Sequence, residues 1–79
     1  MKVIKRDGRA VDYDRQKIVI AIEKANQEVR KAERASKEDI KKIIEYIEEL
    51  GKKRILVEDI QDIIEQKLME LQKFELAKK

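Results

Sequence analysis

The dipeptide Asp7-Gly8 restricts the fold of this chain more than any other feature of the sequence. Asp-Gly favours the positive φ angles found at the tip of a β-hairpin, and short apolar segments stand on both sides of it. Val3-Ile4 therefore predicts one strand, and Ala10 to Tyr13 predicts the returning strand. Within the returning segment, Val11 and Tyr13 alternate with their neighbours at the two-residue period of a half-buried strand.

Helices are predicted for most of the remaining chain, because apolar residues recur there at helical spacing. Asp14 is suited to cap a first helix that runs from Arg15 to Ala32. A linker over residues 31–35 follows it. Ser36 and Asp39 then form a capping box, in which Asp replaces the usual Glu, at the start of a second helix.

Gly51 predicts the end of the second helix. Ile55 to Val57 is a very short strand candidate, and the acids Glu58 and Asp59 suit the first turn of a third helix. A fourth helix begins at Phe74 and reaches Lys79 without a terminating residue, so we expect the chain to be C-terminally incomplete. The apolar faces expected on the first three helices consist of Ile18, Ala21, Ile22, Ala25, Val29, Ile40, Ile43, Ile44, Ile47, Leu50, Ile60, Ile63, Ile64, Leu68 and Leu71.

The composition excludes several classes of function. The 79 residues make one domain at most, and they include no cysteine and no histidine. Disulfides, thiolate metal sites and the usual general base are therefore absent, and we expect no catalysis by this chain alone. No apolar run approaches the roughly 20 residues of a membrane span, and no signal peptide is visible. We expect a cytoplasmic domain that does not enter a membrane.

Residues 1–17 carry the whole net charge of +3. Lys5 and Arg6 close the first strand, and Lys17 lies in the first turn of the first helix, so a hairpin packed on that helix would bring them together. Arg15 and Lys17 oppose the helix dipole, and a bound phosphate would remove this conflict. The alternative is a basic rim that is simply solvated.

Two carboxylates and one aromatic ring beside this cationic cluster have open roles. Asp12 and Asp14 could share a Mg²⁺ ion or hold a ribose hydroxyl. The structural alternative places Asp12 on the solvent face of the strand and gives Asp14 to the helix cap, although a capping carboxylate has spare lone pairs. Tyr13 could pack against a base or cover the end of the helical bundle.

These residues resemble a known family. The sequence opening closely resembles that of the ATP-cone domain, the regulatory nucleotide-binding module of ribonucleotide reductases and of their transcriptional repressor. The resemblance rests on Val3-Ile4-Lys5-Arg6-Asp7-Gly8-Arg9, Val11, Tyr13-Asp14-Arg15, Lys17-Ile18 and Ala21-Ile22, with a supporting match at Val57-Glu58-Asp59-Ile60-Gln61-Asp62 and Phe74-Glu75-Leu76-Ala77-Lys78.

The resemblance implies an α+β fold over residues 1–79: a four-helix bundle, its last helix truncated, capped by a small three-stranded sheet with an N-terminal β-hairpin. It also implies that ATP or dATP binds under the cap as an allosteric effector, with Mg²⁺. The phosphates would lie on Lys5, Arg6 and Lys17, and the adenine pocket would consist of Val3, Tyr13, Ile18 and Ile60. The strand of Val11, Asp12, Tyr13 and Asp14 would contact base and ribose, with Asp14 on the sugar, and Val57 and Gln61 would approach from the third helix. Arg15 completes the predicted site residues.

The resemblance leaves a departure and a choice of parent. Leu56 stands where such domains often have a Ser or Thr cap. The repressor carries an N-terminal zinc ribbon, whereas this chain has no cysteine and begins two residues before the motif, which favours a reductase, in style the anaerobic class. The expected partners are the nucleotide, the remainder of the reductase chain and a further copy of the domain.

Two other readings remain open. One is a nucleic-acid-binding module that uses the basic hairpin, although no helix carries a continuous basic face. The other is a purely structural helical bundle, which would leave the first seventeen residues unexplained.

Overall fold

The hairpin around Asp7-Gly8 is confirmed. The computed structural model describes residues 1–78, and in it β1 (Lys2–Ile4) pairs antiparallel with β2 (Ala10–Asp12). Val3 lies opposite Val11 in this pair. Gly8 has a φ of 89°, which only glycine adopts easily, so the turn chemistry explains why the chain reverses here.

A third strand completes a mixed sheet with the order β2-β1-β3. β3 (Arg54–Leu56) runs parallel to β1, so that Ile55 lies opposite Val3. Parallel neighbours need a long crossover, and the first two helices supply it. The strand was predicted one residue later, because Val57 already belongs to the helix that follows.

The first helix, α1, spans Arg15–Asn26, and Asp14 caps it by accepting a hydrogen bond from the Gln16 backbone N–H at 3.0 Å. The prediction that it continues to Ala32 is wrong. The Asn26 side chain turns to Ala35, donating to its carbonyl at 3.1 Å and accepting from its N–H at 2.9 Å. These bonds fix a loop in place of further helix, and the linker contains a short 3-10 turn, Lys31–Glu33.

The capping box of the second helix, α2 (Lys37–Glu49), is confirmed. The Ser36 hydroxyl accepts from the Asp39 backbone N–H at 3.1 Å, and the Ser36 N–H donates to the Asp39 carboxylate at 3.0 Å. Gly51 follows the end of the helix with a φ of 65°, as expected for a residue in the left-handed region.

The third helix, α3, spans Val57–Glu70 and begins directly after β3. Its N-cap residue, Leu56, makes no side-chain hydrogen bond to the helix, which confirms that this start lacks a side-chain acceptor. The short α4 spans Phe74–Ala77 and buries Leu76. The predicted continuation of this helix includes Lys79, which lies outside the described residues.

The core lies between the sheet and the helices, and four isoleucines of α2 form its centre. Among residues 1–78, no polar or charged side chain is buried. The predicted apolar face of the third helix is less enclosed, since Ile63 and Ile64 are only half-buried. The buried residues are Val3, Ile18, Ile22, Val29, Ala35, Ile40, Ile43, Ile44, Ile47, Ile55, Ile60, Leu68 and Leu76.

Across the part of the chain that the structure describes, no helix has the length and apolar character needed to span a lipid bilayer.

Candidate functional site

A cavity of about 180 Å³ opens between the sheet and the first turns of α1 and α3. β1 is the central strand of the sheet, and the chain enters α1 from β2 and α3 from β3, the two strands that flank it. Its walls are mostly apolar, with charged groups at the edge. The lining residues are Val3, Lys5, Val11, Asp12, Tyr13, Asp14, Lys17, Ile18, Ala21, Val57, Ile60, Gln61 and Ile64.

The structure brings together almost every residue of the predicted site. All of them line this cavity except Arg6 and Arg15. Residues from the first quarter of the chain therefore meet residues of α3 around one space. The two exceptions take different positions.

Arg6 lies beside a second, more open cleft of about 350 Å³, which shares Lys5, Val57 and Gln61 with the cavity. Its guanidinium donates to the Gln61 side-chain oxygen at 3.2 Å and lies 3.3 Å from the Glu58 carboxylate. Arg6 thus spans from the hairpin to α3 at the mouth of the cavity.

Two cations at the cavity are free to take an anionic ligand. Within residues 1–78, neither Lys5 nor Lys17 has a carboxylate within 4.0 Å of its ammonium group. The neighbouring Arg9 is instead paired with Asp7 at 2.7 Å. The first turn of α1 contains no acidic residue, so the positive end of its dipole is not neutralised from within the helix.

The two carboxylates at the cavity are already engaged. Asp12 forms an ion pair with Lys2, and the hydrogen bond from Lys2 lowers the pKa of Asp12 below its usual range. Asp14 accepts the α1 capping bond. Among residues 1–78, no group of three or more His, Cys, Asp or Glu side chains is arranged to hold a metal ion. The structural alternative for Asp12, a solvent-facing strand residue, agrees with this position.

Tyr13 and Arg15 converge on Glu48, which sequence reasoning missed. The Tyr13 hydroxyl donates to Glu48 Oε2 at 2.8 Å, and Arg15 Nε donates to the same oxygen at 3.0 Å. Burial, followed by this bond to a carboxylate, raises the pKa of Tyr13, while the Arg15 hydrogen bond lowers the pKa of Glu48. Arg15 lines a groove between α1 and α2 rather than the cavity.

Ala21 and Ile64 were also missed as lining residues. The sequence contained a signal for both, because Ala21 follows Ile18 by three positions and Ile64 follows Ile60 by four. Such spacings place side chains on one helix face, which here borders the cavity. They were assigned to the core stripes alone. No comparable local signal indicates Glu48.

An α+β module with an apolar cavity and unpaired cations at its edge suits a nucleotide. The model of the family described as ATP cone domain matches residues 1–79, the whole chain. The chain therefore belongs to the ATP-cone family. ATP-cones bind ATP or dATP as effectors and are regulatory rather than catalytic, so this chain is a regulatory nucleotide-binding domain.

Proposed function

We propose that ATP or dATP binds in the cavity between the sheet and the first turns of α1 and α3. The observation that carries this proposal is the position of Lys5 and Lys17, two unpaired cations at the edge of a mostly apolar space. An adenine ring needs apolar walls, and a triphosphate needs fixed positive charge. The apolar walls and the two lysines line the same cavity, so one nucleotide can use both.

The base lies, on this proposal, against Val3, Tyr13, Ile18 and Ile60. Three of these side chains are buried aliphatic residues of the core, so their positions are set by packing before the ligand arrives. Val57 and Gln61 form the wall of the cavity on the α3 side. Asp14 can hold a ribose hydroxyl with a spare lone pair while it caps α1, and Val11 and Asp12 of β2 line the cavity beside it.

The triphosphate extends toward Lys5 and Lys17 and the positive end of the α1 dipole. Arg6 lies at the cavity mouth, where breaking its bond to Gln61 would let both side chains turn to the ligand. We propose that Mg²⁺ accompanies the nucleotide and is bound chiefly by phosphate oxygens, because the carboxylates present are paired or capping.

The parent, we propose, is a cytoplasmic ribonucleotide reductase, whose overall activity this domain controls. The support is the motif from Val3 to Ile22, which resembles the reductase module. Control requires that ATP and dATP favour different arrangements of the domain relative to the rest of the enzyme or to another copy of itself. A change in self-association is one such arrangement.

Calorimetry on lysine variants tests the phosphate contacts. Lys5→Ala or Lys17→Ala should weaken ATP binding by about 1–3 kcal/mol, the scale of a charge-assisted hydrogen bond. Lys41→Ala on α2 removes the same charge outside the proposed site and should leave the affinity within about twofold of wild type. Equal affinity for ATP in all three variants contradicts the site.

A ligand comparison tests the class of function. ATP and dATP should bind, while GTP should bind at least about tenfold more weakly, because guanine mispairs with backbone groups suited to adenine and leaves them unsatisfied. Binding to a short DNA duplex with a steep salt dependence, and none to ATP, would instead establish the nucleic-acid-binding module.

A further inference from the structure

Tyr13 belongs to two environments at once. Tyr13 lines the cavity, and its hydroxyl donates at 2.8 Å to Oε2 of Glu48, a residue outside the cavity lining. Glu48 lies in the last turn of α2 and does not line the cavity. A wall of the proposed nucleotide site is therefore tied to a helix that takes no part in that site.

The carboxylate that receives this bond is itself fixed. Arg15 binds both oxygens of Glu48, through Nε to Oε2 at 3.0 Å and through Nη2 to Oε1. A two-point guanidinium–carboxylate contact restricts both position and rotation. Glu48 is also half-buried, which limits the alternatives for its side chain. Arg15, which was predicted as a site residue, therefore contacts Glu48 instead of lining the cavity.

The backbone around Tyr13 would hold its ring less firmly without this bond. β2 is an edge strand that ends at Asp12, and Tyr13 follows it. The Tyr13 backbone N–H donates to the Met1 carbonyl at 3.0 Å, just before β1. Because an edge strand is paired on one side only and opens at lower free-energy cost than a packed helix, the hydroxyl bond to α2 ties Tyr13 to a more rigid element.

We propose that Glu48 is a positioning residue for the adenine base, holding the Tyr13 ring as a fixed wall of the site. This inference rests on the proposed function, since it assumes that the base lies in the cavity. Glu48 touches no ligand atom and acts through Tyr13. Preorganising one side chain removes the cost of ordering it on binding. The resulting gain in binding free energy comes from the contact with the base and not from the contacts with the triphosphate.

Binding of ATP and of inorganic tripolyphosphate, both measured by calorimetry, separates the two roles. Glu48→Gln keeps the size of the side chain and should weaken ATP binding by about fivefold while leaving tripolyphosphate binding unchanged. Glu49→Gln makes the same charge change at an exposed neighbouring position and should change neither affinity. Lys5→Ala should weaken both ligands.

The hydroxyl contact has its own readout, which needs no nucleotide. The chain has two tyrosines, so in a Tyr46→Phe background Tyr13 is the sole source of tyrosinate absorbance. In that background, Glu48→Gln should move Tyr13 ionisation to lower pH, because the neighbouring negative charge is lost. Tyr13→Phe should weaken ATP binding as Glu48→Gln does, and the double variant should be no weaker than either.

The outcomes divide clearly. An equal loss for ATP and tripolyphosphate, no loss for ATP, or additive effects of Tyr13→Phe and Glu48→Gln each overturn the inference and leave the site intact. A wild-type domain that binds neither ligand overturns the proposed function and this inference together. If Glu48→Gln unfolds the domain by melting analysis, Tyr13→Phe decides the question, because it deletes the hydroxyl donor of this hydrogen bond and keeps the ring.

Discussion

Replacing Asn26, the last residue of α1, by Ala should destabilise the domain more than a single change to any polar side chain of the loop that follows. Asn26 makes two hydrogen bonds to the backbone of Ala35, at 2.9 Å and 3.1 Å. Each is expected to contribute about 0.5–1.5 kcal/mol. Ala35 is only 6% exposed, so truncation leaves its N–H and C=O without ready access to water.

The expected loss is therefore about 2–3 kcal/mol, towards the upper end of two such bonds, because buried partners are left unsatisfied. A domain of this length has a total stability on the order of 4–12 kcal/mol, so the loss is a large fraction of it. The melting temperature should fall by about 10–20 °C, because a small domain loses roughly 4–8 °C per kcal/mol of stability. Urea titration followed by circular dichroism measures the free energy of unfolding directly.

Two further variants make the test specific. Gln27→Ala changes the next residue, which is exposed and makes no side-chain hydrogen bond among residues 1–78, and should cost less than about 0.5 kcal/mol. Asn26→Asp keeps the acceptor for the Ala35 N–H but places a carboxylate oxygen beside the Ala35 carbonyl, so its loss should exceed that of Gln27→Ala. If Asn26→Ala is as stable as Gln27→Ala, the loop does not depend on these bonds and the reasoning is refuted.

Three other predictions concern single sites. Ser36→Ala removes the capping bond of α2 and should cost about 1 kcal/mol in urea titration. Gly51→Ala should cost about 1–2 kcal/mol on the same assay, because a Cβ there meets no atom within 4 Å and the penalty is that of the positive φ alone; Gly51→Asn should cost less. Because Arg15 lowers the pKa of Glu48 in the folded state, the stabilisation from their contact is present above the unfolded pKa of about 4.3 and is lost as pH falls through the folded value. The stability difference between wild type and Glu48→Gln should accordingly shrink when unfolding is measured at about pH 3 instead of pH 7.

The features predicted correctly are those that depend on neighbouring residues. The turn at Asp7-Gly8, the cap at Asp14 and the capping box of Ser36 and Asp39 are each decided within a few positions of the chain. The end of α1 is not decided by adjacent residues. Val29 continues the apolar spacing past Asn26, and only the distant partner Ala35 terminates the helix.

The site shows the same division. The resemblance of the opening motif to ATP-cones grouped residues of β1, β2 and α1 with Val57, Ile60 and Gln61 of α3, and the structure places them around one cavity. Arg15 was grouped with them because it lies in the same basic segment. The sequence of that segment gives no information about a contact with α2. Its contact with Glu48 joins residues thirty-three positions apart and follows from helix packing, which local spacing does not encode.

The central position of β1 in the sheet has a consequence for the order of assembly. β1 precedes the other two strands of the sheet, yet its parallel neighbour β3 comes only after both crossover helices. Closing a loop of that length must precede the contacts that reward it, which makes the pairing a late event in folding. The cavity has Val3 on one wall and Val57 on another, so it does not exist in a nascent chain that ends before β3. On the proposed site, the nucleotide therefore binds only chains in which β3 and α3 have packed against β1, and its binding opposes every opening that separates them.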